Sequence, residues 1–367
     1  MHEHNAYRNV LCVRADNMGD VIMSSPAMRA LKETFGSHIT LLTSAAGAVI
    51  TPYLDCVDDV MITDLPWVGS GGLDKEGLLK LTEEIRSRNF DAAVIFTVYS
   101  QSALPTAMLL YMAGIPVRVA YARENPYDLL THWIPDREPY ECILHQVQRD
   151  LNLVNQLGAV TSNDHLLLNL QLSCKHLFYQ KLYDLLPDPP GTSYIVLHPG
   201  VSEAKREYPV SHWIEIGKMI VAEYDMPVLI SGSAKEIALA ETISKAIGQR
   251  AICTAGAFTV GEFVCLIDGA HGVVSVNTGT IHVAAATQTP IVVLYAQTNP
   301  QHTPWKSEHE ILPYSVPKHL QSRNAIISHV ASKYYNQTLP VPEPNWVLDT
   351  FKMLLGEGEL KNLPDFF

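Results

Sequence analysis

Apolar residues fall along this chain in short continuous runs separated by stretches in which they recur every three or four positions. Runs over 7–13, 39–42, 60–62, 92–97 and 117–121 predict strands, the one at 92–97 buried on both faces. Helical spacing predicts helices over 21–35, 77–88, 104–112 and 145–158, the last closed by Gly158. Pro26 falls near the predicted start of its helix, where proline is tolerated, and 66–76, with Gly69, Gly71 and Gly72, reads as a loop. Strands alternating with helices imply a parallel sheet covered on both faces.

The pattern breaks at 185–193, where Pro187, Pro189, Pro190 and Gly191 can continue neither a helix nor a central strand. It then starts again. Strands are expected over 194–197, 228–231, 251–253, 273–276 and 291–295, with helices over 210–223, 235–247, 260–269, from 279 onward, and over 345–355. The segment 300–340 carries no regular period. The expected organisation is therefore an N-terminal Rossmann-like domain (1–186), a linker (187–193), a C-terminal Rossmann-like domain (194–344) and a terminal helix and tail (345–367). Two such α/β domains would face a central cleft at the carboxyl ends of their strands, where ligands bind in folds of this class.

Composition narrows the field. At 367 residues with 47% hydrophobic and 17% charged residues, the chain suits two packed soluble domains. Its apolar runs all fall short of the roughly 20 residues of a membrane span, and no apolar segment follows the first five residues to make a signal peptide, so the expected location is cytoplasmic. A net charge of −12 argues against a nucleic-acid partner, and without a Lys/Arg cluster membrane association is expected to be peripheral at most. The 6 cysteines include no C-x-x-C pair, which speaks against a disulfide framework and a zinc site.

Four strand-end loops could carry chemistry. In 14–20, Gly19 permits a tight turn and Asp20 opens a helix, either as a first-turn carboxylate or as a general base; Asp16, just after the strand, suits a turn-forming hydrogen bond. In 198–209, Gly200 and Val201 precede the pair Lys205 and Arg206, either a solvated pair or a phosphate grip that needs no metal. In 231–236, small residues allow close approach, and Glu236 could serve a ribose diol or simply the helix N-terminus. In 273–286, a strand turns through Asn277, Thr278, Gly279 and Thr280 into a small-residue helix. That turn is an ordinary β-α junction or an anion seat on unpaired N–H groups, and His282 beyond it is either a packed helix histidine or, with 277–280, a donor-binding residue. No P-loop occurs, and no G-x-G-x-x-G follows the first strand.

Taken together these loops resemble glycosyltransferase family 9, the heptosyltransferases of bacterial lipopolysaccharide assembly, over most of the chain. Arg14 with Met18-Gly19-Asp20 and Pro26-Ala27-Met28-Arg29-Ala30-Leu31 is similar to the family's R-x-x-x-x-G-D opening and its P-A-L-R-A-L helix. The segment 113–121 is similar to A-G-x-x-x-R-I-G-Y, and His198-Pro199-Gly200 with Lys205-Arg206 to H-x-G…K-R-W-P. The strongest likeness is that of 275–285 to S-x-D-T-G-x-x-H-x-A-A. The resemblance implies a GT-B fold and metal-independent, inverting transfer from an ADP-sugar, typically ADP-heptose, with no cofactor. It makes Asp20 the base and sets Lys205 on the leaving diphosphate with the backbone of 278–280. It gives Glu236 to the ribose and Phe258 to the nucleotide base. Inversion requires one base on the acceptor side and fixed donors on the leaving group, and domain closure would exclude competing water.

Two departures from the family pattern matter. Asn277 replaces an aspartate expected near the donor sugar. One extra residue in the basic loop makes counting forward from His198 select Lys205 and counting back from Pro209 select Arg206; a strand end fixes position better, which favours Lys205. Residues 1–150 hold 12 basic against 19 acidic residues, a poor match to a phosphorylated lipid acceptor. The expected partners are thus a nucleotide-sugar donor and a glycan, glycolipid or small-molecule acceptor, with lipopolysaccharide core as the family default. The alternatives are a different donor sugar, a soluble acceptor such as a secondary metabolite, or a non-catalytic nucleotide-sugar-binding protein. A sugar-nucleotide epimerase fits the local motifs less well.

Overall fold

The structure is a computed structural model that describes residues 7–69, 71–186, 193–201, 203–297, 299–334 and 338–356. Its described strands form two six-stranded parallel sheets. The first comprises β1 (Asn9–Arg14), β2 (His38–Thr43), β3 (Asp59–Ile62), β4 (Ala92–Ile95), β5 (Val117–Ala122) and β6 (His132–Pro135), in the order β3-β2-β1-β4-β5-β6. The second comprises β7 (Ile195–His198), β8 (Val228–Ile230), β9 (Ala251–Cys253), β10 (Gly272–Val276), β11 (Ile291–Ala296) and β12 (His309–Tyr314), in the order β12-β11-β10-β7-β8-β9. The relative order is the same in both. Each sheet therefore reverses direction once, between β1 and β4 and between β7 and β10, and leaves a crevice at the carboxyl ends of those strands.

The central strands are apolar because both of their faces are covered. Val10, Leu11, Cys12 and Val13 of β1 are buried between β2 and β4, and Val273, Val274 and Val276 of β10 between β7 and β11. The outermost strands β6 and β12 were not visible in the apolar pattern. Each contains a proline, Pro135 or Pro313, which an edge strand tolerates, and neither is a continuous apolar run. The helix Ala325–Tyr334 likewise lies in the segment that carried no period.

Two compact units result, one of residues up to Leu167 with Pro300–His302, the other of Leu168–Asn299 with residues from Thr303 onward. The helix Leu172–Leu185, which falls within the expected first domain, belongs to the second unit. It runs antiparallel to the helix Val260–Asp268, with ion pairs Lys175–Asp268 (3.1 Å) and Lys181–Glu262 (2.7 Å), and buries Phe178 and Leu182. Of the expected linker, 187–192 lie outside the described residues. The terminal helix Pro344–Leu354 also packs within the second unit. Its Phe351 ring lies where a Cβ on Gly272 would come within 2.6 Å, so any larger first residue of β10 would have to displace that buried ring. The tail from 357 lies outside the described residues.

The helix after β1 begins at Met18 and runs to Phe35, so Pro26 sits in its interior and not near its start. Proline there offers no N–H to the carbonyl of Ile22. The hydroxyl of Ser25 donates to that carbonyl instead, at 2.8 Å. Buried polar backbone is thus satisfied, and the helix continues.

Candidate functional site

In the first unit the crevice is built around a buried cation. β1 is apolar from Val10 to Val13 and ends in Arg14, whose side chain is 0% exposed. A guanidinium with no access to water needs carboxylate partners. Its Nη2 donates to Asp20 Oδ1 at 3.0 Å, and its Nε lies 3.1 Å from Asp16 Oδ2. Asp20 is the third residue of the helix Met18–Phe35, so it also stands in the positive field of the helix N-terminus and accepts from the N–H of Asn17 at 3.4 Å. Asp20 is thus a first-turn carboxylate whose other oxygen is held by Arg14 at the end of β1. Gly19 is buried beside it.

Asp16 does not make the local turn expected of it. Its carboxylate pairs with Arg14 and accepts from the amide of Gln101, which reaches over from the loop after β4. Burial raises the Asp16 carboxyl above the usual range, against the pull of Arg14 and Gln101 and reinforced by the charge of Asp20. For Arg14, burial favours loss of the proton, but Asp16, Asp20 and Asp150 outweigh it and hold the cation charged.

In the second unit the corresponding crevice, between β7 and β10, is lined by cations. After His198 the chain passes through Gly200 and Val201 to a turn at Ala204–Arg206. Glu203 holds both basic residues, Oε1 at 2.8 Å from Lys205 Nζ and Oε2 at 2.8 Å from Arg206 Nη2. Burial would raise Glu203, but the hydrogen bond from Lys205 and the two nearby charges leave it lowered. Arg206 Nη1 then donates to the backbone carbonyl of Asn277 at 2.9 Å, tying the basic loop to the turn after β10. Lys205, the residue favoured by counting, is held at Glu203, whereas Arg206 makes the cross-loop contact.

At that turn, Thr278 occupies the cap position of the helix Gly279–Thr287 yet its side chain makes no capping hydrogen bond. The first N–H groups of the helix are thereby left to the crevice. Asn277 Oδ1 and Thr278 Oγ1 are buried and have no hydrogen-bond partner among the described residues. Thr280 and His282 are buried on the body of the helix.

Glu236 stands in the first turn that precedes the helix Ile237–Ile247, and its Oε2 accepts from the N–H of Ser233 at 2.5 Å. The same carboxyl lies over Gly200, where any Cβ would overlap it. Beneath this contact, His198 Nδ1 is 2.9 Å from Ser231 Oγ, and burial pushes its pKa down to about 4 against the opposing charge of Glu236. Phe258, in the loop after β9, packs its ring on Phe178 at 5.4 Å. The second unit thus brings Lys205, Arg206, Glu203 and Asn277 together, sets Glu236 on Gly200, and places Phe258 against a different helix. Sequence reasoning named Arg14 only as part of the family's opening motif, gave it no role, and passed over Gln101, Glu203 and Asp150.

Among the described residues no group of three or more His, Cys, Asp or Glu side chains is arranged to hold a metal ion, and no helix is long and apolar enough to cross a membrane.

The model of glycosyltransferase family 9 (heptosyltransferase) matches residues 78–333. Lipopolysaccharide heptosyltransferase 2 of Escherichia coli K12 is 27% identical over 363 residues, covering 95% of this chain and 99% of that protein. Among solved structures, a family 9 glycosyl transferase from Veillonella parvula superposes with a TM-score of 0.78 at 18% identity, covering 96% and 98% of the two chains. The E. coli ADP-heptose lps heptosyltransferase II does so with a TM-score of 0.72 at 21% identity, covering 95% and 99%. The two Rossmann-like sheets are those of the GT-B fold shared by these structures.

Proposed function

The chain belongs to glycosyltransferase family 9, and from that premise we propose that it transfers heptose from ADP-heptose to a hydroxyl of a lipopolysaccharide core, in the cytoplasm and with inversion at the anomeric carbon. The observation that carries this reading is the Arg206–Asn277 link beside an uncapped helix N-terminus. A guanidinium, an ammonium at Lys205 and free N–H groups around one crevice suit a leaving diphosphate, and in this reading they meet its developing charge without a metal ion. Asp20 serves as the base. It removes the acceptor proton as the hydroxyl oxygen attacks the face opposite the departing ADP. Glu236 and Phe258 are proposed for the nucleoside, and Gly200 and Val201 for close backbone approach.

A second reading keeps the reaction and changes the substrates. Asn277 presents an uncharged carbonyl oxygen, buried and without a partner among the described residues, where the family pattern has a carboxylate. Together with the excess of acidic residues in 1–150, it favours another ADP-sugar or a soluble acceptor.

Isothermal titration of the full chain with ADP-heptose, ADP-glucose, UDP-glucose and GDP-mannose tests the donor. ADP release with lipopolysaccharide-core and soluble glycan acceptors tests the rest. ADP-heptose is expected to bind tightest and a core acceptor to accelerate ADP release. Preference for a UDP-sugar would overturn the donor assignment, and acceleration by a soluble glycan alone would replace the acceptor.

A further inference from the structure

One helical turn beyond Asp20 on the helix Met18–Phe35 lies Ser24, which is fully buried. Its hydroxyl donates to Asp150 Oδ2 at 2.6 Å, and the amide of Gln146 donates to Asp150 Oδ1 at 2.7 Å. Asp150 belongs to the helix Gln146–Asn155, which packs along the helix carrying Asp20, and is 1% exposed. The two buried arginines near it are engaged elsewhere. Arg149 pairs with Asp136 (2.6 and 2.9 Å) and Glu138 (2.9 Å), and Arg14 with Asp16 and Asp20. Asp150 is therefore solvated by neutral donors, while its charge still acts on Arg14, the cation that holds Asp16 and Asp20.

We propose that Asp150 is a positioning residue for proton transfer, whose charge, felt through Arg14, sets the proton affinity of Asp20 and so the acidic limit of turnover. This rests on the reading of Asp20 as the base. When ionised, Asp150 draws on the field of Arg14, which it shares with Asp20, and so leaves less of that field to hold the Asp20 carboxylate ionised. That strengthens Asp20 as a base. Protonation of Asp150 reverses the effect.

The groups that face Asp150 leave it free to play this part. Cys12 of β1 and Tyr121 of β5 are driven upward by burial and stay neutral. Arg14 and Arg149 stay charged, held so by their carboxylates. Glu138, in the loop after β6, is raised by burial against the pull of Arg149, with which it pairs, and accepts from the amide of Gln301; Asp136 pairs with Arg149, and Asp16 with Arg14. Burial pushes Asp150 itself to about 6 against the pull of Arg14, Ser24 and Gln146, so its charge changes within a working pH range.

Asp150→Asn keeps an acceptor for Ser24 and Gln146 and removes the charge. In the full-length protein, the acidic limb of kcat/KM for ADP release is expected to move down by about half to one pH unit, with KM for ADP-heptose unchanged. Carbon-13 NMR of labelled aspartate carboxyls should show the Asp20 titration moving by the same amount, assigned by its loss in Asp20→Asn. Ser24→Ala, which weakens the hold on ionised Asp150, should shift both in the same direction by less, and it stands in should Asp150→Asn fail to fold. An Asp20 titration that does not move in either variant would overturn the proposal. A moved titration with an unmoved pH profile would uphold the coupling and overturn the role of Asp20 as base.

Discussion

The two crevices occupy the same place in two sheets of the same strand order, and the chain has equipped them oppositely. In the first, a fully buried arginine is surrounded by carboxylates, and Gln101 closes the gap between the β1 and β4 loops by holding Asp16. In the second, one carboxylate, Glu203, gathers two half-buried cations, and Arg206 closes the gap between the β7 and β10 loops by holding Asn277. A group that must accept a proton benefits from burial and from neighbours that tune its affinity. A group that must receive a charged diphosphate benefits from cations and N–H donors left within reach of solvent. One topology serves both because its switch point fixes where loops meet while leaving their chemistry free.

The contrast is most exposed to test at Asp20. Asp20→Ala is expected to lower kcat for ADP release by roughly 100- to 10,000-fold, the range of a lost general base, with ADP-heptose affinity by calorimetry unchanged. Unchanged turnover would remove Asp20 from the chemistry. Next comes Arg14, whose replacement by methionine strands Asp16 and Asp20 in a buried site. Urea denaturation should show a loss of about 3 to 5 kcal/mol, and a loss below about 1 would mean that the carboxylates neutralise at no cost.

His198 tests the second unit in a different way. Its folded-state pKa is pushed down from 6.5 to about 4, so the unfolded chain binds its proton first as pH falls. Stability from this group is complete above about pH 6.5 and is lost toward pH 4, by up to about 3 kcal/mol. Urea midpoints at pH 7.5 and 5 should differ less in His198→Gln than in the parent, and equal slopes would assign the acid loss to other groups. The smallest effect separates the two basic residues. Arg206→Ala should weaken ADP binding by about 10- to 100-fold and Lys205→Ala by less, because Arg206 also positions the Asn277 turn. The reverse ranking would restore Lys205 as the main grip.

Much of the frame was legible in the residues. Continuous apolar runs marked the central strands, because burial on two faces leaves no polar alternation. Edge strands β6 and β12 were silent because proline and polar residues interrupt that run. The segment 113–121, quoted for its likeness to the family, turns out to be held by Arg118, whose guanidinium donates to the carbonyls of Leu129 and Asp128 at 2.8 Å each. That motif serves the fold. Asn277, Thr278 and Gly279 were legible as a turn, but the absence of a capping hydrogen bond at Thr278 was not.

The sequence by itself determined the two α/β series, the family and the strand-end loops where chemistry would fall, since these follow from local pattern and short motifs. Tertiary structure alone decided which charges meet. Arg14 and Asp20 are close in sequence, but Gln101 lies 85 positions from Asp16, Arg206 lies 71 from Asn277 and Ser24 lies 126 from Asp150. Pairings over such separations are set by strand order and helix packing, and no local period records them.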